Sequence, residues 1–139
     1  MPSVKVLASI VAAVTLAALA SFFYGRSGAA VDQDLLAAVQ LRLQLVEARA
    51  QVLDGRVSLY LVNFGDASRH FAFAKGPLAP SRVALEARGR SELVAKLDQA
   101  SKELDAAQDL ATRLSQDANS RAGEAARLLN DVIQSVGGR

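Results

Sequence analysis

Beyond its first thirty residues, the chain places apolar residues in steps of three and four. Leu36, Val39, Leu43, Val46, Ala50, Leu53, Val57, Tyr60 and Phe64 form one such row, continued by Ala67, Phe71, Ala74 and Leu78. A strand would alternate by two, so the row predicts helix. A strict three-four seam is also narrow and wants a partner helix. Asp32 and Asp34 supply N-cap and first-turn carboxylates at its start. Asn63-Phe64-Gly65-Asp66 is a turn signal. Gly65 is expected to end the first helix in a left-handed cap and Asp66 to cap the second, folding the row into an antiparallel hairpin. Gly76-Pro77 and Pro80 end the second helix, since proline lacks the amide donor. Ser81 is the expected N-cap of the next segment, and Gly89 with Ser91 restarts it.

A second seam runs from Leu93 to Val132. Leu97, Leu104, Ala111, Ala118, Ala125 and Val132 recur every seven residues, with Leu93, Ala100, Ala107, Leu114 and Leu128 between them. Arg121 interrupts the second row. Alanine lets helices approach closely but buries little area per residue. The polar stretch Asp117-Ala118-Asn119-Ser120 suggests a second hairpin turn, and Gly137-Gly138 ends the last helix.

Before these rows, Val6 to Tyr24 is an uncharged run of apolar and small residues, entered through Lys5 and left through Gly25-Arg26. At ~1.5 Å per residue a helix of this length is about as long as a bilayer's hydrocarbon core is thick. The segment 1–26 therefore reads as a membrane anchor or a signal segment, with Val6, Leu16, Phe22, Phe23 and Tyr24 in the apolar stretch. Ala18-Leu19-Ala20 offers a cleavage site. Cleavage there would leave Phe22-Phe23-Tyr24 near an exposed new terminus, whereas aromatics of this kind settle at a membrane interface, which favours the uncleaved anchor. Lys5 and the free amine favour a cytoplasmic N-tail, with the domain on the periplasmic or external side of an inner membrane. The alternative is a periplasmic or secreted protein after cleavage. Residues 27–31 are a flexible exit, leaving 32–136 for a helical bundle. The fold class expected is all-α: a transmembrane or signal helix, then a small antiparallel helical-hairpin bundle.

Composition narrows the chemistry. The 139 residues hold one histidine and no cysteine, and the formal charge is only +2. Thiolate metal sites and disulfides are excluded, and no dense basic stripe marks a nucleic-acid surface. His70 has no second histidine or cysteine with which to share a metal. Asp105 and Asp109 stand one turn apart among basic residues, the pattern of a solvated face. No phosphate loop, nucleophile–base pair or ligand cluster is present in the sequence, so neither an enzyme nor a cofactor is expected. Tyr60, Phe64, Phe71 and Phe73 form an aromatic cluster, read as core or as the lining of a peptide-binding groove. Ala8 with Ala12, and Ala13 with Ala17, are small-residue spacings that could pack two membrane helices.

The stretch from Gly55 to Pro80 resembles a tetratricopeptide-type helix-turn-helix. Gly55, Phe64, Ala67, Phe71 and Ala74 match that repeat's small and aromatic positions, while Ser58 stands where an aromatic is expected. The match covers about one repeat, against roughly three for a solenoid. The resemblance implies a helical hairpin at about 50–80 that binds proteins and is not an enzyme. The expected function is a membrane-tethered interaction or scaffold module that contacts lipid through its N-terminal helix and binds a protein partner. The alternative is a structural coiled coil that self-associates through the 93–132 seam.

Overall fold

The computed structural model describes residues 33–137. The expected membrane segment, with Val6, Leu16, Phe22, Phe23 and Tyr24, the flexible exit and Gly138 lie outside these residues. No helix within them is long and apolar enough to cross a membrane. The described residues are helical: α1 over 33–60, α2 Phe64–Lys75, α3 Leu78–Ala87, α4 Ser91–Thr112 and α5 Ala118–Gly137. The chain divides into a unit of residues 1–37 and a unit of residues 38–139, and the core lies in the second.

Within the second unit, cross-helix contacts fix the order of the legs. Gln51 meets His70 and Gln44 meets Ser81, so α1 runs antiparallel to both α2 and α3. Lys75 reaches Asp105 and Arg82 reaches Asp98, so α2 and α3 both run antiparallel to α4. Arg121 pairs with Glu103, which sets α5 antiparallel to α4, and Arg56 reaches Asn119, which returns α5 to α1. The unit is an up-down four-legged bundle whose second leg is broken into α2 and α3 at Gly76-Pro77. The break fits the expected effect of proline, and α3 starts at once. Pro77 is its N-cap residue and Pro80 sits in the first turn, where a missing amide costs nothing. Ser81 is therefore not a cap. It is buried inside α3, with its Oγ 3.3 Å from Gln44 Oε1.

Three legs end in the same way. At each, the third residue past the helix donates its N–H to the carbonyl five residues back, and the residue before it lies left-handed. Asn63 N–H donates to Ser58 C=O with Val62 at φ 60; Arg90 to Leu85 with Gly89 at φ 65; Ser115 to Leu110 with Leu114 at φ 58. The first turn thus falls earlier than expected. Val62, not Gly65, is the left-handed residue, and Asn63, not Asp66, is the N-cap, its Oδ1 accepting from Asp66 N–H at 3.2 Å. Gly65 lies within the first turn of α2 with open space around it. The α4–α5 turn likewise precedes the expected Asp117–Ser120, since α5 already begins at Ala118.

The core forms along the inner rows of all legs. Leu97, Ala100, Leu104, Ala107 and Ala111 of α4 close against Ala118, Ala125, Leu128 and Val132 of α5. The 93–132 seam is thereby satisfied within the chain and is not left open for a second one. Leu114, expected on that seam, is 69% exposed because it sits in the turn. The alanines bring α4 and α5 close, while the larger side chains supply most of the burial, about 1.5–3 kcal/mol for each leucine or phenylalanine enclosed.

Candidate interaction surface

α1 faces its own core with a different row from the one its seam suggested. Leu41, Leu45, Ala48, Val52, Gly55 and Leu59 are buried. Leu36, Val39, Leu43, Ala50, Val46, Val57 and Tyr60 are exposed, and only Leu53 of that row is partly covered. Both rows step by three and four, and at ~100° per residue they lie on opposite sides of the helix. α1 is thus apolar on two faces, and the bundle uses one. Val39 at 58%, Leu43 at 64%, Val57 at 56% and Tyr60 at 67% exposure make a continuous apolar stripe over 39–60. Isolated exposed leucines need no explanation, but a stripe along one helix is a candidate binding surface.

The stripe has polar margins. Toward α5 stand Arg42, Arg49 and Arg56. Arg56 Nε donates to Asn119 Oδ1 at 2.8 Å, and the Arg56 and Arg42 guanidiniums lie over Gly123 and Gly137, where the missing side chain makes room. Asn119 Nδ2 in turn donates to the Tyr60 hydroxyl at 3.1 Å. That hydrogen bond, together with the nearby Arg56 charge, lowers the Tyr60 pKa below its ordinary value. Along the other margin stand Gln40, Glu47 and Asp54. Between turns of the stripe is a shallow apolar depression of about 290 Å³, framed by Val39, Arg42, Leu43 and Val46.

The expected aromatic cluster is divided. Phe71 is fully buried against Gly55, Phe64 is partly buried on the core, and Tyr60 and Phe73 are exposed. The four neither share one core nor line one groove. Tyr60 belongs to the α1 stripe. His70 Nδ1 lies 2.9 Å from Gln51 Oε1, tying α2 to α1, and no group of metal-binding side chains occurs among the described residues. Asp105 pairs with Lys75 at 2.7 Å and Asp109 with Arg113 at 2.8 Å, so these acids serve surface ion pairs. An open cleft of about 350 Å³ at the α3–α4 turn, lined by residues including Arg90, Glu92, Lys96 and Ser135, contains no histidine or cysteine.

The fold and its surface define a helical bundle with one outward apolar helix face. Comparison of the chain with protein-family models, curated proteins and solved structures yields no match.

Proposed function

We propose that this chain is a membrane-tethered, non-catalytic interaction or scaffold module that engages another helix through the outward face of α1. The observation that carries this reading is the exposed apolar stripe from Val39 to Tyr60, set opposite a face that the bundle already buries. A three-four row of this kind is completed by a helix, as in groove or coiled-coil recognition. The uncharged run Val6–Tyr24 supports a single-pass anchor, and Lys5 supports a cytoplasmic N-tail with the bundle on the periplasmic or external face of an inner membrane. The tetratricopeptide resemblance of 55–80 agrees with protein binding. Neither nucleic acid nor a cofactor enters this reading.

The test pairs binding with folding. Leu43→Asp with Val46→Asp places two charges on the stripe and removes no core contact. Crosslinked partner recovered from membranes should fall at least about tenfold, a loss of ~1.4 kcal/mol or more, while the helical melt stays unchanged. Recovery equal to wild type would refute the surface.

A further inference from the structure

The α1 stripe repeats every seven residues. Leu43, Ala50 and Val57 form one column, and Val39, Val46, Leu53 and Tyr60 the other. These are the a and d positions of a coiled coil, flanked by e and g. Position g carries Arg42, Arg49 and Arg56, and position e carries Gln40, Glu47 and Asp54. Each acid stands five residues after one arginine and two before the next, spacings that do not face each other on a helix. Among the described residues, Glu47 and Asp54 make no ion pair.

A helix with basic g and acidic e columns is complementary to a copy of itself in one direction only. In a parallel pair, g of one helix meets e of the next heptad on the other, so Arg42 faces Glu47 of the second copy and Arg49 faces its Asp54. In an antiparallel pair, g meets g and e meets e, so arginine would face arginine and acid would face acid. We infer that the occupant of the stripe is α1 of a second copy of this chain, in a parallel, in-register, two-stranded coiled coil. The inference rests on the proposed use of this face and adds the identity of the partner.

Two further observations agree. Val39, Arg42, Leu43 and Val46, which frame the depression on the stripe, are successive d, g, a and d residues. That is the set of four that forms the hole for an a-position knob in a parallel pair, and Leu43 of the second copy is the knob. Among the described residues, Arg49 makes no ion pair and its buried Nε finds no hydrogen-bond acceptor, so its charge is not committed to the bundle. Because the opposite face of α1 is committed to its own bundle, one stripe remains, which suits two strands.

The chain contains no cysteine, so a single introduced cysteine reports one contact. Val39→Cys, Val46→Cys and Tyr60→Cys in the full chain, in membranes, should each form a disulfide between copies on mild oxidation. Their yield should be at least about tenfold above that of the exposed α4 control Ala95→Cys. In an antiparallel pair, residues 39 and 60 would lie about 30 Å from their own copies. Disulfides at Ala50→Cys alone would therefore overturn the parallel arrangement. Glu47→Arg with Asp54→Arg should lower the Val46→Cys yield severalfold, and adding Arg42→Glu with Arg49→Glu should restore it. A yield indifferent to these changes overturns the charge pairing. Sedimentation of the full chain in micelles should give two copies, and a monomer or a larger species overturns the pair. Capture of a different protein through the stripe, with no disulfide at any d position, overturns the second copy but leaves the surface standing. Loss of both removes the two readings together.

Discussion

Gly55 and Phe71 form a close contact between α1 and α2, and replacing the glycine should reverse sign according to what stands opposite. A β-carbon at Gly55 would lie 2.4 Å from Phe71 Cε1 and 2.8 Å from Cδ1, where carbon atoms normally sit ~3.5–4.0 Å apart. Phe71 is fully buried, so its ring cannot withdraw without disturbing the core. Helix propensity alone would make Gly55→Ala stabilising by ~1 kcal/mol. Overpacking a closed core costs ~1–3 kcal/mol, and an overlap of about an ångström places this site toward the upper end. The net expectation is a loss of ~1–2 kcal/mol. Phe71→Ala alone should cost ~3–5 kcal/mol, a large part of the ~5–15 kcal/mol of a small domain. With the ring gone, the methyl group enters vacated space. Gly55→Ala should then stabilise the Phe71→Ala chain by ~1 kcal/mol. Urea melts of the four proteins, followed by circular dichroism at 222 nm with a common m-value, give the cycle directly. A stabilising or neutral Gly55→Ala in the wild-type chain, or the same loss in both backgrounds, would refute the close packing.

Val62→Gly and Leu114→Gly should each raise stability by ~1 kcal/mol, since both positions are exposed and left-handed, a conformation that costs a branched or bulky residue ~1–2 kcal/mol. Gly89→Ala should lower it by ~1 kcal/mol for the same reason, and thermal melts that fail to separate the three would count against the shared cap. The Tyr60 hydroxyl, isolated at 295 nm by subtracting Tyr60→Phe, should titrate below the ordinary tyrosine range, and Asn119→Ala should move it upward. Because the folded pKa is the lower one, its contribution to stability is present above the ordinary value and is lost as pH falls through the lowered one. Removal of residues 1–26 should leave a helical chain with one cooperative melt, because the buried core among the described residues runs from Leu41 to Ile133. An aggregated or strand-rich product would contradict this.

The helices were legible from periodicity, and so were the break at Gly76-Pro77 and the recurrence of Leu97, Leu104, Ala111, Ala118, Ala125 and Val132 as one buried row. The inward face of α1 was not. Its outer row of leucine, valine and tyrosine is more apolar than the inner row, which includes Ala48 and Gly55. A ranking by hydrophobicity therefore selects the wrong side. The inner row's small residues record how closely α2 approaches, which only the packed structure reveals. The turns were displaced for a related reason. Glycine is the usual left-handed residue after a helix, so Gly65 drew the turn toward itself, whereas Val62 and Leu114 give no such signal. The arginine and acid columns beside the stripe could have been found by writing Leu43, Ala50 and Val57 in heptad register. The pairing of Arg56, Asn119 and Tyr60 could not, since it joins residues 63 apart in sequence for the first of those bonds.

The up-down order of the legs has a kinetic consequence. Each of the α1–α2, α3–α4 and α4–α5 reversals spans only a few residues, so most native contacts join neighbours in sequence and the bundle belongs among the fast-folding topologies. The longest loop to close is that of α5 against α1, from Arg56 to Asn119 and on toward Arg42 and Gly137. That closure is the slow search, and it seats the arginine margin of α1 on the glycines of α5. The outer stripe of α1, by contrast, is set by the helix alone and is complete as soon as α1 has wound. A chain emerging with α1 first therefore presents its apolar stripe before its own last leg has docked.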